Sequence, residues 1–368
     1  MKTAQELLLE RKTRINKAIA LEKPDRTPVV LMMDSFCAYH MGVKMSEFCS
    51  SLKTQNQVML KSLKTFGDVD GSNSAFAGGP LFPLIFMSHV KMPGKELPDD
   101  ALWQLDEREV MTTDDYDTIL NKGWGPFYQD YLINRLNYNL GPIMGELADT
   151  PQMVKNIEDE GYVLYSPIVT ATVNELLGGG RSLPKLMRDL YKMPDKVEAV
   201  LDVIQKDTLD MLRQQIRATK STVVFMSPAR GAGEFFSPKL WERFVWKYLK
   251  GMADVIIEEG AIANLHIDSN WERDLDYFRS FPKGKCVFET DNATNIYKIK
   301  EVLGDRMCIK GDVPAAKLAL GTPDEVYNYC TQLIKDMGSG FILSSGCSIP
   351  PNARVENVKA MISAATGK

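Results

Sequence analysis

Three short stretches place side chains capable of metal or acid–base chemistry beside apolar runs. IANLHID ends in His266 and Asp268, KCVFET carries Glu289, and FILSS leads into Ser345-Gly346-Cys347-Ser348-Ile349-Pro350-Pro351. His266 and Asp268 are two positions apart, so on an extended strand both side chains leave the same face. One imidazole, one thiolate and one or two carboxylates brought together suit the donor preferences of zinc. Each residue also has a plainer reading: a hydrogen-bonded core histidine, an acid capping the next helix, a small residue beside Gly-Ser. Their joint occurrence at the ends of three apolar runs favours a shared site.

Other residues are weaker candidates. Asp34 and Asp70 follow the first two apolar runs and are read as pocket acids, Asp34 with a catalytic assignment. Met32, Met33 and Met226 are assigned to the substrate pocket, where they would pad an aromatic ring, although apolar methionines more often fill cores. Arg230, in Ser227-Pro228-Ala229-Arg230-Gly231, follows another run and is expected to face the pocket. Gly178-Gly179-Gly180-Arg181 could contact a phosphate, with a helix start or turn as the simpler reading. His40 and His89 read as surface or structural residues.

Elements must position these side chains. Leu7, Leu8, Ile15, Ala18 and Ile19 recur near a 3.6 period, predicting a helix over 3–21. From residue 222 onward apolar strands alternate with helices: strands at 222–227, 262–268, 285–290, 306–311 and 341–345, helices near 238–259, 272–280, 293–303, after Thr322 and after Val355. Strands without polar alternation, each separated by a helix, indicate a parallel sheet covered on both faces. Strands near 28–33, 68–75 and 162–169 bring the count to eight, that of a closed (β/α)8 TIM barrel, with chemistry expected at the C-terminal strand ends. An open doubly wound sheet is the alternative, but no G-x-G-x-x-G follows a strand. Residues 77–150, between the second and third strands, exceed one helix and are expected to form an excursion over the barrel mouth. With no linker or repeat, 1–368 reads as one domain.

The chain has 368 residues with 44% hydrophobic and 25% charged content, ordinary for a globular protein. A net charge of −4 and pI near 5.6 argue against nucleic-acid and anionic-membrane partners. No apolar stretch approaches the ~18–20 residues needed to cross a bilayer. The N-terminal segment is charged at helical spacing and lacks an apolar signal core, so a cytoplasmic location is expected. Cys37, Cys49, Cys286, Cys308, Cys330 and Cys347 are widely spaced, with no C-x-x-C pair. That spacing suits neither a disulfide framework nor a structural zinc site.

The order of landmarks resembles the uroporphyrinogen decarboxylase superfamily. It is carried by Asp25-Arg26-Thr27-Pro28-Val29, by KMPGKELPDD and WQLDEREVMTTDDYD within 91–117, and by GCSIPPNARVENVKAM near the end. Within that superfamily the chain is similar to the zinc- and corrinoid-dependent methyltransferases. Those enzymes carry H-x-C after the fifth strand, an acid about a strand later, and a G-C-x-I-x-P loop after the eighth. The resemblance assigns His266, Glu289 and Cys347 to those positions, with Asp268 standing where the middle cysteine would be. It implies a zinc ion held by His266, Cys347 and one or both of Asp268 and Glu289, with Glu289 also placed in the catalytic machinery. A carboxylate for a thiolate makes a harder site, better suited to an ether oxygen than to a thiol. The implied activity resembles the first methyltransferase of O-demethylase systems. A small methoxylated aromatic gives up its methyl group to the Co(I) of a separate corrinoid protein, with zinc as Lewis acid. The chain lacks the D-x-H-x-x-G of a subunit carrying its own corrinoid. Alternatives are methyl transfer from a methyl-corrinoid protein to a coenzyme M-like thiol, decarboxylation, and a non-catalytic barrel. Decarboxylases of the superfamily carry R-Q-A-G-R after the first strand; here Met32-Met33-Asp34-Ser35-Phe36-Cys37 offers no arginine.

Overall fold

The computed structural model describes residues 2–368. Its core strands are β1 (Val30–Leu31), β2 (Gly71–Ser72), β3 in two halves (Val163–Leu164 and Ile168–Ala171) and β4 (Val223–Ser227). They continue with β5 (Ile262–Ile267), β6 (Cys286–Thr290), β7 (Cys308–Val313) and β8 (Phe341–Ser345). All neighbours pair in parallel and in chain order. Pro167 lacks an N–H and interrupts β3, whose first half pairs with β2 and second half with β4. A parallel bridge from Val29 to Leu343 joins β8 back to β1, and Leu343 N–H donates to the Pro28 carbonyl at 2.9 Å. The strands form a (β/α)8 barrel, as their rhythm with the helices predicts, and not an open sheet.

Strand alternation sorts the side chains into inner and outer sets. Val30, Val163, Val223, Val287, Cys308 and Ile342 form one apolar layer with Ile15, Ala18 and Ile19 of the helix Ala4–Ile19. That helix, capped by a Thr3–Glu6 capping box, therefore plugs the N-terminal end of the barrel. Two residues further along the same faces the interior carries Phe225 and otherwise turns polar, with Asn264, Glu289, Lys310 and Ser344. Met33 and Met226 have the opposite parity. They are fully buried with Val29, Leu31 and Val224 in the core between barrel and helices. Their assignment to the substrate pocket is therefore corrected by a one-residue offset.

Asp70 is a second correction. It precedes β2 and so lies at the barrel end opposite the mouth. Its carboxylate accepts from Val29 N–H at 2.7 Å and pairs with Arg14 at 2.5 Å and Arg26 at 2.8 Å. It is fully buried and ties the N-terminal helix to the first two strands.

The stretch between β3 and β4 forms the helices Val173–Arg181, Leu183–Lys192 and Pro194–Thr219. Val197, Val200, Leu201, Ile204, Thr208, Leu212 and Ile216 make the buried stripe of the third. Gly178-Gly179-Gly180-Arg181 lies inside the first of these helices. A Cβ on Gly179 would sit 1.5 Å from the Phe86 carbonyl oxygen, so the glycine permits helix contact and does not cradle a phosphate. Buried Arg181 pairs with Asp189 and Glu109.

Residues 77–150 contain short helices and an antiparallel ribbon of His89–Lys91 with Gln104–Asp106. Tyr128, Tyr131 and Tyr138 donate hydroxyls to the carbonyls of Leu84, Met87 and Pro80. Glu107 and Phe86 from this segment reach Arg230 in the loop after β4, on the C-terminal face of the barrel. Among the described residues no helix is long and apolar enough to cross a membrane.

The Asp70 cluster gives a direct test. Asp70→Ala leaves Val29 N–H unpaired and Arg14 with only Asp25 and Glu10, and should destabilise the fold by roughly 1–3 kcal/mol in urea unfolding. A loss below 1 kcal/mol would show that the cluster is not what ties the helix to the barrel.

Candidate metal centre

β5 sets the site. Its interior face reads Ile262, Asn264, His266 and, just past the strand, Asp268. The loop beyond is anchored by Trp271, whose indole N–H donates to the Asp268 carbonyl at 2.8 Å and whose backbone N–H donates to Thr294. Cys347 enters from the loop after β8, where Ile349 N–H donates to the Met32 carbonyl at 2.8 Å and binds that loop to β1.

Single donor atoms of His266, Asp268 and Cys347 lie within 4.8 Å of one another, the one such grouping among the described residues. The other two converge on Nε2 of His266, with Asp268 Oδ1 at 3.4 Å and Cys347 Sγ at 3.7 Å. His266 is buried with its ring stacked on Phe225 at 4.8 Å, while Asp268 and Cys347 are half-buried at the mouth. Burial works against protonated His266, but Asp268, Cys347 and Glu289 outweigh it and raise its pKa well above the usual value. The cluster thus favours positive charge at the imidazole. A nitrogen, an oxygen and a sulfur donor aimed at one point fit the donor preferences of a zinc ion.

Glu289 stands elsewhere than expected. Its Oε1 lies 3.5 Å from Nδ1 of His266, on the opposite edge of the ring from Asp268 and Cys347. It therefore cannot join the same ion through that arrangement; it supports the histidine from behind. Oε1 also accepts from Lys310 Nζ at 2.8 Å, and Oε2 from the Asn264 amide. Burial would push the carboxyl up, but Lys310 and His266 pull it far below the usual range.

Asp34 does reach the site. It follows β1 at a φ of +35°, a conformation aspartate tolerates better than most residues, and accepts from the Ser348 hydroxyl beside Cys347. Burial pushes its carboxyl up, opposed by Ser348 and His266. Met32 shares the interior parity of Val30 and Asp34 and is half-buried. Arg230 is near the mouth but already engaged, by Glu175 through both backbone and guanidinium and by Glu107 at 3.0 Å. Burial raises the Glu175 carboxyl to about 7, against the pull of Arg230. His40 accepts or donates at Ser62 and stacks on Phe36 and Phe66, away from this cluster.

The sequence reading misses Lys310, Asn264, Phe225 and Glu175. Lys310 carries a usable signal: a charged residue two positions from Cys308 on the strand Cys308–Val313 shares the face that Cys308 turns into the barrel. A depression of about 530 Å³, lined by Gly233, Glu234, Asn270, Glu272, Arg273 and Lys298, lies beside the mouth and does not include the cluster.

Fold and site together define a (β/α)8 barrel with a candidate metal centre at its C-terminal mouth. Residues 163–367, more than half of the chain, match the uroporphyrinogen decarboxylase (URO-D) family, and the chain belongs to it. It is 24% identical over 178 residues to a uroporphyrinogen decarboxylase from Coxiella burnetii, covering 48% of each chain. It is 24% identical over 232 residues to one from Pseudoalteromonas translucida, covering 62% of this chain and 64% of that one. The chain thus spans about half to under two-thirds of the length of these curated relatives. A solved methyltransferase from Methanosarcina mazei has the same fold, with a TM-score of 0.74 at 16% identity over 96% of this chain and 97% of that one.

His266→Ala and Cys347→Ala should each reduce zinc from about one ion per chain to a trace, measured by elemental analysis, with circular dichroism unchanged. Full zinc retention in either variant removes that residue from the site.

Proposed function

We propose that this chain is a zinc-dependent methyltransferase. It cleaves a methyl ether, a methoxylated aromatic, and passes the methyl group to the Co(I) of a separate corrinoid protein. The observation that carries this reading is the convergence of His266 Nε2, Asp268 and Cys347 at the barrel mouth. These residues would hold the zinc. When bound, the ion supplies a Lewis acid that stabilises negative charge developing on the departing oxygen.

The chain's own residues do the rest. Glu289 fixes the imidazole from behind, and Phe225 holds its plane. Asp268 in place of a second thiolate makes the donor set harder, favouring an oxygen ligand over a thiol. The carbon–oxygen bond breaks with its electron pair on oxygen, and the methyl group goes to the cobalt that the partner presents. Asp34, held by the Ser348 hydroxyl after β1, would return a proton to the released oxygen.

The likeness to the Methanosarcina mazei methyltransferase supports methyl transfer. The name of the curated relatives points to decarboxylation, but the mouth does not suit a substrate bearing many carboxylates. Asp34, Asp268 and Asp291 face it, and Arg230 is already held between Glu175 and Glu107.

Purified protein with zinc and reduced corrinoid protein should demethylate a member of a methoxyarene panel and transfer methyl poorly to thiols. Asp268→Cys should keep zinc and lose ether cleavage preferentially. Thiol methylation from methyl-corrinoid without any methoxyarene turnover would replace this reading with the thiol-directed one. Ether cleavage surviving complete zinc removal would exclude the Lewis-acid mechanism.

A further inference from the structure

We propose that Lys310 is a positioning residue of the metal centre, holding the Glu289 carboxylate against Nδ1 of His266 so that Nε2 is presented to the ion. The proposal rests on the metal reading above. β5, β6 and β7 are in register at this level: His266 partners Glu289, and Glu289 partners Lys310. Three consecutive strands thus set imidazole, carboxylate and ammonium side by side on the interior face. Lys310 Nζ donates to Glu289 Oε1 and to Asn73 Oδ1, both at 2.8 Å, and lies 4.8 Å above the Tyr165 ring. Asn264 donates to the other carboxylate oxygen and accepts from the Tyr165 hydroxyl at 3.2 Å. Glu289 is therefore clamped in one orientation, with Oε1 shared between Lys310 and the edge of His266.

Nδ1 has no hydrogen-bond partner at normal distance, and Oε1 at 3.5 Å is the acceptor facing it. A carboxylate there fixes the tautomer with hydrogen on Nδ1 and the lone pair on Nε2. Both Glu289 and Lys310 are fully buried, so neither charge is tolerable without the other. The Lys310 ammonium offsets the Glu289 carboxylate in the interior, which leaves Asp268 and Cys347 to face a cation at the mouth. A lysine that only filled space would need neither the shared oxygen nor the aligned register.

The test measures zinc affinity by chelator competition, and the visible spectrum of the Co²⁺-substituted protein, for wild type, Lys310→Met, Glu289→Gln and the double variant. Lys310→Met should weaken zinc binding about 10–100-fold, the range for losing a group that orients a metal ligand, and should shift the Co²⁺ spectrum. The double variant buries no unpaired charge. It should lose no more affinity than Glu289→Gln alone, because Lys310 acts through Glu289. If Lys310→Met fails to fold, the comparison of Glu289→Gln with the double variant decides alone. Wild-type affinity and spectrum in Lys310→Met, even with a lowered melting temperature, would overturn the proposal. So would a double variant losing the product of the two single effects. A wild-type protein that takes up no zinc overturns the metal reading and this proposal with it.

Discussion

The Glu289 carboxylate, wholly excluded from solvent, lies between the imidazole of His266 and the ammonium of Lys310. A buried carboxylate without a counter-charge would be protonated or would disrupt the fold. Here Lys310 keeps it ionised, and its charge is felt at His266. From there the influence runs outward, because His266 presents its other nitrogen to Asp268 and Cys347. The apolar layer below, plugged by the N-terminal helix, keeps water from reaching the pair from the closed end of the barrel.

Strand parity explains which parts of this arrangement the sequence displays. The five strand–helix units after residue 222 are legible because buried parallel strands read as short apolar runs. His266 and Asp268 stand out because polar residues two apart at the end of such a run must share a face. Alternation counted from Cys308 marks Lys310 as an interior residue, and counted from Val223 marks Phe225 in place of Met226. Residue type alone, the basis for Met33 and Met226, carries no information about face. Glu289 lies beside His266, yet its side of the imidazole depends on three-dimensional register between β5 and β6. Asp70 misleads because the first three strands are short, so position along the sequence does not fix which end of the barrel is reached.

The mouth combines a cation-seeking cluster with further acids. Asp34 and Asp291 have carboxyls pushed up by burial, and Glu175 pairs with Arg230. Such a surface is poorly disposed to polyanionic ligands. Fold likeness does not decide the chemistry, since one barrel hosts many; that has to be argued from the side chains at the strand ends.

The central claim is that one imidazole, one carboxylate and one thiolate hold a zinc ion at the end of β5. X-ray absorption at the zinc edge of the loaded protein tests it most directly. The account predicts a first shell with a single sulfur and the remaining ligands nitrogen or oxygen. A shell with two or more sulfurs, or with none, would contradict it.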